Sequence, residues 1–280
     1  MDSLTCPEWV HALLAVKPPG RYRLTTRRIE NATSLNEEDL AAAVGDLYRR
    51  LINDLQHQQR YALRMWNFIP DIQAQLDSGD RYMAFNAGRH RAFTERFGDD
   101  RGFIASVPTA SGVGVAGTTL TVHLLDGDQP GIPIENPRQV ASYRYSERFG
   151  KRPPCFARAV HAGSLLLIGG TASIAGEDSR HTDDPEAQTE ETLANLAALV
   201  ITADADSPAP PLHALRDVRV HVARHGDVPV VRQTLMPRLH PDAVVEFVVA
   251  ALCRLELLVE IEGVASVAAA VSPALSVSPR

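Results

Sequence analysis

The sequence contains little cysteine and no long apolar run. Its 280 residues include three cysteines, at positions 6, 155 and 253, with no close pair among them. Such a set predicts neither a disulfide framework nor a zinc site, and it fits a reducing cytoplasm. No run of about 18 apolar residues occurs, and no basic segment followed by an apolar one opens the chain. We therefore expect neither a membrane span nor a signal peptide.

A basic excess is also missing. The formal net charge is −6, whereas a nucleic-acid partner requires a basic face that meets the phosphates. We therefore expect no nucleic-acid partner, and an anionic ligand would need arginines placed locally. The 45% of hydrophobic and 22% of charged residues are typical of a globular protein with a substantial core.

Helix and strand patterns alternate along the chain. Ser34–Glu37 resembles a capping box that opens a helix, Asp80 and Gly98 bound a second helix, and Asp184 followed by proline opens a third. The second half adds strand patterns at 164–168, 218–222, 244–250 and 257–264, with a short helix at 227–235. These patterns predict an α/β fold in which helices pack on one face of a sheet.

Glycine and proline concentrate between Asp126 and Pro137, which marks the best domain boundary. We predict an N-terminal domain at 1–137, a C-terminal domain at 138–268 and a tail at 269–280. No internal repeat is visible in the sequence.

A glycine-rich segment at 112–117 matches the dinucleotide-binding spacing G-x-G-x-x-G. The residues that follow are β-branched and strand-like, whereas a dinucleotide site requires a helix there, so we interpret the segment as a turn or bulge. His181, Asp183 and Asp184 match no metal-binding spacing, and Asp184 is better explained as a helix cap. The nucleophile motif G-x-S-x-G is absent from the sequence.

Tyr82 and Arg89 lie seven residues apart on the second predicted helix, so they share a face. An arginine can hold a carboxylate through two parallel hydrogen bonds, and a tyrosine hydroxyl can add a third. The alternative is an amphipathic helix with a solvated arginine. Tyr143, Arg144, Arg152 and Arg158 form a second cluster that suits an anion, with surface solubility as the alternative.

Glu260 and Glu262 alternate with apolar residues on the last predicted strand, so both point to one face. Two neighbouring carboxylates repel each other, which favours protonation of one and could make it a general acid. The alternative is a solvated strand face.

The end of the chain resembles a RidA/YjgF-type domain, which closes with a similar Glu-Ile-Glu strand. At the position where the imine deaminases of that family carry a carboxylate-binding arginine, this chain has Val245. A closer resemblance is to the chorismatases, which are built on the same fold. The segments that carry it are YMAFNAGRHR at 82–91, YRYSERFG at 143–150, PPCFARA at 153–159, GGTASI at 169–174 and CRLELLVEIEG at 253–263.

The resemblance implies a RidA/YjgF-like C-terminal catalytic domain with a related or degenerate N-terminal domain. It also implies a cytoplasmic enzyme that releases pyruvate from chorismate without a metal or organic cofactor. Glu260 matches the acid of the family. Tyr82, Arg89, Tyr143, Arg158 and Gly170 are expected to bind chorismate.

Cys253 and Gly170 resemble the pair found in the subtype that forms 3-hydroxybenzoate, and Cys253 is expected to act in catalysis. Cys253 could instead be a buried structural cysteine. Three alternatives remain for the function. The product could be a mixture of 3- and 4-hydroxybenzoate, or a hydrated dihydroxycyclohexadiene carboxylate, or the chain could be a catalytically silent small-ligand binder.

Overall fold

A computed structural model describes residues 5–98 and 101–269. The helices are α1 (Trp9–Leu14), α2 (Glu37–His57), α3 (Arg81–Phe97), α4 (Arg101–Ser106), α5 (Pro185–Ala203) and α6 (Val228–Leu235). The strands are β1 (Tyr22–Ile29), β2 (Tyr61–Pro70), β3 (Thr109–Val115), β4 (Leu120–Gly127), β5 (Ile132–Ile134), β6 (Ala159–Ala162), β7 (Leu165–Ala172), β8 (Ile174–Ala175), β9 (Asp178–Ser179), β10 (Leu215–Val222), β11 (Val244–Val249) and β12 (Val259–Ser266).

Short polar side chains set where the long helices begin. Asp80 accepts from the backbone N–H of Met83 at 2.8 Å and starts α3, and Asp184 accepts from that of Ala187 at 2.9 Å and starts α5. Both predicted caps are confirmed. The predicted cap at Ser34 is wrong, because Asn36 caps α2 and the hydroxyl of Ser34 donates to a carbonyl in the preceding turn.

The strands form two main sheets. The first half of the chain builds a four-stranded sheet in the order β1-β4-β2-β3, and the second builds a six-stranded sheet in the order β11-β10-β12-β7-β6-β5. Helices α2 and α3 cover the first sheet, and α5 and α6 cover one face of the second. The remaining faces of the two sheets pack against each other through Trp66, Phe68, Leu167 and Val264.

The two halves share one topology that the sequence does not reveal. In the first half the order strand, helix, strand, helix, strand, strand is β1, α2, β2, α3, β3 and β4, with the short α4 inserted before β3. In the second half it is β7, α5, β10, α6, β11 and β12. In both halves the last strand pairs antiparallel with the first two, and the second and third strands pair in parallel. The described part of the first half therefore repeats this order without counterparts of β5, β6, β8 and β9.

The chain passes from one sheet to the other between Gly127 and Ile132. This lies a few residues before the domain boundary at 137, which stays a prediction. Beyond Ala269, the predicted tail lies outside the described residues. None of the helices within those residues is long and apolar enough to cross a membrane.

The interpretation of the glycine-rich segment as a turn holds only for 116–117, because 112–115 belong to strand β3. Its glycines allow close packing instead. A Cβ atom on Gly112 would lie 2.9 Å from the ring of Tyr82, and one on Gly114 would lie 2.8 Å from the Cβ atom of Ala251. The turn falls after the strand, at Gly117, where φ is +91° and glycine is favoured.

Candidate active site

A cavity of about 240 Å³ opens between the two halves of the molecule. The first half contributes side chains from α3 and β3. The second half contributes the segment before β6, strand β7, the segment before β12, and β12 itself. Residues of the two arginine-bearing segments and of the carboxylate-bearing strand, which the sequence analysis predicts as candidate sites, line this cavity.

Glu260 lies on β12, between His221 of β10 and Ala172 of β7. Its side chain reaches the cavity but is buried, with 4% of the residue exposed, and its Oε1 has no hydrogen-bond partner among the described residues. Burial and the negative charge of Glu262 raise the pKa of Glu260 to about 8, although Arg64 opposes the shift. The group is therefore mostly protonated at neutral pH, as a general acid requires.

Glu262 lies on the same face of β12, and only 2% of it is exposed. Its Oε2 accepts from Arg64 Nη2 at 2.7 Å and from the hydroxyl of Ser111, and its Oε1 accepts from Trp66 Nε1 at 3.0 Å. Burial favours the neutral form, but Arg64, His221 and Arg219 together outweigh it and hold the pKa of Glu262 below its usual range. Both carboxyls are buried, so the solvated strand face is ruled out as the alternative.

Arg89 is buried on α3, with 2% exposed. Its Nη2 donates to Asn86 at 2.8 Å, and its Nε has no partner among the described residues. The guanidinium lies 5.2 Å from the ring centre of Phe85 and 5.8 Å from that of Phe156. The solvated arginine is therefore ruled out, and Arg89 retains donor capacity beside the cavity.

Tyr82 lines the same side of the cavity and lies on the same face of α3 as Arg89. Its ring stacks on that of Phe85, with centres 6.3 Å apart and planes 11° apart. Burial raises its pKa, so the hydroxyl keeps its proton and can donate a hydrogen bond.

Arg158 approaches from the second half and is also buried, with 4% exposed. Its Nη2 donates to the hydroxyl of Tyr145 at 2.7 Å and to the carbonyl of Val140 at 2.8 Å, while its Nε has no partner among the described residues. The guanidinium lies 5.2 Å from the ring centre of Phe156. Phe156 therefore lies beside the guanidinium groups of both arginines.

Tyr143 is placed differently from the expectation. It packs edge-on against Phe103 at 5.7 Å, and within the described residues it is not part of the cavity lining, whereas Tyr145 is. Substrate binding by Tyr143 stays a prediction. Arg144 and Arg152 are exposed, which agrees with the surface alternative for those two residues.

Gly170 and Cys253 both line the cavity next to Glu260. A Cβ atom on Gly170 would clash with Oε1 of Glu260, so the carboxyl occupies the space that the missing side chain leaves. Burial and the charge of Glu260 raise the pKa of Cys253 to about 12. The thiol is therefore neutral and weakly polar.

Sequence reasoning missed the groups that contact Glu262 and the tyrosine that contacts Arg158. Arg64 and Glu262 are 198 residues apart in the chain, and no local pattern links them. Tyr145 lies within the segment YRYSERFG at 143–150, but a segment with two tyrosines does not reveal which one faces the cavity.

The polar residues considered for a metal have other partners. Asp183 accepts from Arg224 at 2.8 Å, and Asp184 caps α5. Across residues 5–98 and 101–269 the structure has no group of three or more histidine, cysteine, aspartate or glutamate side chains that could hold a metal ion.

Comparisons with known proteins agree with the resemblance. The model of the family described as chorismatase FkbO/Hyg5-like, N-terminal, matches residues 11–126. A 3-hydroxybenzoate synthase of Streptomyces hygroscopicus is 37% identical over 264 residues, which cover 89% of this chain and 71% of the relative. The chain belongs to the chorismatase family.

Other chorismatases support the assignment. A chorismatase from Streptomyces rapamycinicus is 32% identical over 215 residues, which cover 72% of this chain and 63% of the relative. A crystal structure of a chorismatase superposes with a TM-score of 0.78 and 28% identity, covering 88% of this chain and 75% of that one. The predicted α/β fold class is thereby confirmed, and the fold is that of a chorismatase.

Proposed function

We propose that this protein cleaves chorismate into 3-hydroxybenzoate and pyruvate. The observation that carries the proposal is Glu260, a buried carboxyl whose pKa is raised to about 8 and whose Oε1 is unpartnered beside a cavity with two buried arginines. The relative named 3-hydroxybenzoate synthase supports the same product.

Chorismate carries one carboxylate on its ring and one on its enolpyruvyl ether. Arg89 and Arg158 each keep a buried N–H without a partner among the described residues, so each can donate to one carboxylate. Phe156, which contacts both guanidinium groups, offers an apolar surface to the ring. The protein's net charge of −6 would otherwise repel a dianion, so the two arginines supply the local attraction.

The reaction begins with proton transfer from Glu260 to the methylene carbon of the enolpyruvyl group. The adjacent carbon becomes an oxocarbenium-like centre, the ether bond to the ring breaks, and pyruvate leaves. Participation of the neighbouring ring hydroxyl and loss of a ring proton then give the aromatic product. The proton gained by pyruvate equals the proton lost by the ring, so Glu260 is restored and neither water nor an oxidant is consumed.

Product choice depends on keeping water from the ring carbocation that remains when the ether bond breaks. In this proposal Cys253, with its neutral thiol and largely apolar body, gives water little to bind beside Glu260. Water addition would instead give the dihydroxycyclohexadiene carboxylate, and a different ring position would give 4-hydroxybenzoate.

We further propose that the enzyme acts in the cytoplasm on this small molecule and not on nucleic acid, in keeping with its acidic net charge and scattered cysteines. Both assignments rest on composition.

The test is incubation of purified protein with chorismate, with pyruvate measured by a coupled assay and the ring product separated by chromatography. Equal amounts of pyruvate and 3-hydroxybenzoate support the proposal. A hydrated diene or a mixture with 4-hydroxybenzoate would assign another chorismatase subtype. Bound but uncleaved chorismate would indicate a silent binder and overturn it.

A further inference from the structure

Three side chains that donate hydrogen bonds to Glu262 come from the opposite half of the molecule. Arg64 and Trp66 lie on β2 and Ser111 lies on β3, so all three belong to the first sheet, while Glu262 belongs to the second. Arg64 is fully buried, its Nη1 also donates to the carbonyl of Met65, and its guanidinium lies 4.8 Å from the ring centre of Trp66. The contact is therefore a buried one that joins the two sheets.

The two glutamates differ in the hydrogen-bond donors that surround them. The guanidinium of Arg64 and the indole N–H of Trp66 can only donate hydrogen bonds, and the hydroxyl of Ser111, which accepts from Arg64, directs its own proton to Glu262. A proton on Glu262 would meet donors on both oxygens. Oε1 of Glu260, in contrast, has no partner among the described residues.

We propose that Arg64, Trp66 and Ser111 act as positioning residues that keep Glu262 ionised, so that the single proton of the pair resides on Glu260. These three residues form the anchor of Glu262. The first half of the chain would then set the protonation state of the acid that the second half presents. This inference rests on the proposed function of Glu260 as the proton donor.

Other charged or titratable groups also face the pair. From β10, His221 is buried with its Nε2 3.8 Å from Oε2 of Glu262, and Arg219 is already paired with Glu246 at 2.7 Å. From the cavity side, Tyr82 and Cys253 have pKa values raised by burial and are neutral. Arg64 makes the shorter contact with Glu262, at 2.7 Å, and His221 and Arg219 help it to lower the pKa of Glu262.

The first experiment needs no substrate. Carbon-13 NMR of glutamate carboxyls is followed against pH in the ligand-free protein, with the two resonances assigned through Glu260→Gln and Glu262→Gln. We expect Glu260 to titrate above neutrality while Glu262 stays ionised down to acidic pH. In Arg64→Gln, Glu262 should begin to titrate in the measured range. Proton on Glu262 in the unaltered protein, or unchanged titration in Arg64→Gln, would overturn the inference.

The second experiment follows pyruvate release from chorismate against pH. In Arg64→Gln the one proton is divided between the two carboxyls, so turnover at neutral pH should fall by about tenfold if Glu262 gains a preference of one pKa unit. Turnover should recover as the pH is lowered, because both carboxyls then become protonated. Arg64→Lys should retain most of the activity, and Trp66→Phe and Ser111→Ala should show smaller changes of the same kind.

Arg81→Gln is the matched control, since Arg81 is a buried arginine outside the cavity lining that donates to the carbonyls of Ala32 and Thr33. It should lower the melting temperature without altering the pH profile. A loss in Arg64→Gln that is equal at every pH would contradict the anchor and leave a structural role. If the unaltered protein releases no pyruvate, the proposed function fails, while the NMR titration still decides the anchor.

Discussion

The two halves of this molecule repeat one strand order, yet their central strands present different chemistry to the space between the sheets. In the second half, β12 places Glu260 and Glu262 there. In the first half, β4 places His123 there. His123 lies opposite Trp66 of the neighbouring strand β2, and its ring is hydrogen-bonded to the hydroxyl of Thr26 at 2.7 Å. Burial lowers the pKa of His123 to about 4, so it is neutral. The repeat thus duplicates the framework, whereas the buried pair of carboxyls lies in the second copy.

The division of labour follows from this asymmetry. The second half presents the acid on a central strand that is held by neighbours on both sides. The first half contributes cations and donors, namely Arg89 toward the cavity and Arg64 toward Glu262. A substrate in the cavity would therefore contact both halves, and neither half contains a complete site.

The largest expected effect tests whether the acid is confined to the second half. Glu260→Gln should lower pyruvate release by about 100-fold or more, because a positioned general acid is lost while the shape is kept. His123→Gln, on the corresponding strand of the first half, should retain near-normal turnover. Coupled pyruvate assays and melting curves measure both variants. Near-normal activity in a folded Glu260→Gln protein would refute the assignment.

The next effect concerns the arginines that the two halves contribute. Arg89→Ala and Arg158→Ala should each weaken chorismate binding by roughly 1.5–3 kcal/mol, since each removes a charged hydrogen bond. Arg81→Ala, on the same helix as Arg89, should reduce stability without raising KM. Steady-state kinetics decide the matter, and unchanged KM and kcat/KM in both variants would mean that neither arginine binds substrate.

Stability should depend on pH with opposite signs in the two halves. The pKa of Glu260 is raised to about 8, so the folded protein binds the extra proton and its stability falls as pH rises from about 4.5 to 8. The pKa of His123 is lowered to about 4, so stability falls as pH drops from about 6.5 to 4. Each effect is on the order of a few kcal/mol.

Denaturant unfolding at several pH values measures both slopes. Glu260→Gln should reduce the loss on the alkaline side, to which Glu135 also contributes because burial raises its pKa to about 7. His123→Gln should reduce the loss on the acidic side, to which His90 also contributes because burial lowers its pKa. If Glu260→Gln left the alkaline slope unchanged, Glu260 would not hold a proton at neutral pH, and its role as the acid would be in doubt.

The smallest expected effect is on product ratio. Cys253→Ala should shift part of the product from 3-hydroxybenzoate toward the hydrated diene, because the thiol beside Glu260 is removed. Adding Gly170→Ala should also lower turnover, since its Cβ atom would meet the carboxyl of Glu260. Chromatography of the products decides the outcome, and an unchanged ratio with lowered stability would show that Cys253 only packs.

Much of the local structure could be predicted from the sequence. Asp80 and Asp184 mark helix starts because a short polar side chain binds a backbone N–H three residues ahead. Ser34 misled because Asn36, two residues later, can do the same and lies at the true start of α2. The glycine-rich segment was a turn only at its end, because close approach of Tyr82 and Ala251 favours glycine in a strand as well as in a turn.

By itself the sequence determined that Glu260 and Glu262 share a face, because side chains alternate along a strand, and that Tyr82 and Arg89 share another, because a helix repeats about every 3.6 residues. Only the tertiary structure decided that the first face meets Arg64 and Trp66, that Tyr145 and not Tyr143 reaches Arg158, and that Gly170 makes room for the acid. The reason is the separation along the chain over which each effect acts. Periodicity and capping act over a few residues, whereas these contacts depend on how two separately built sheets pack together.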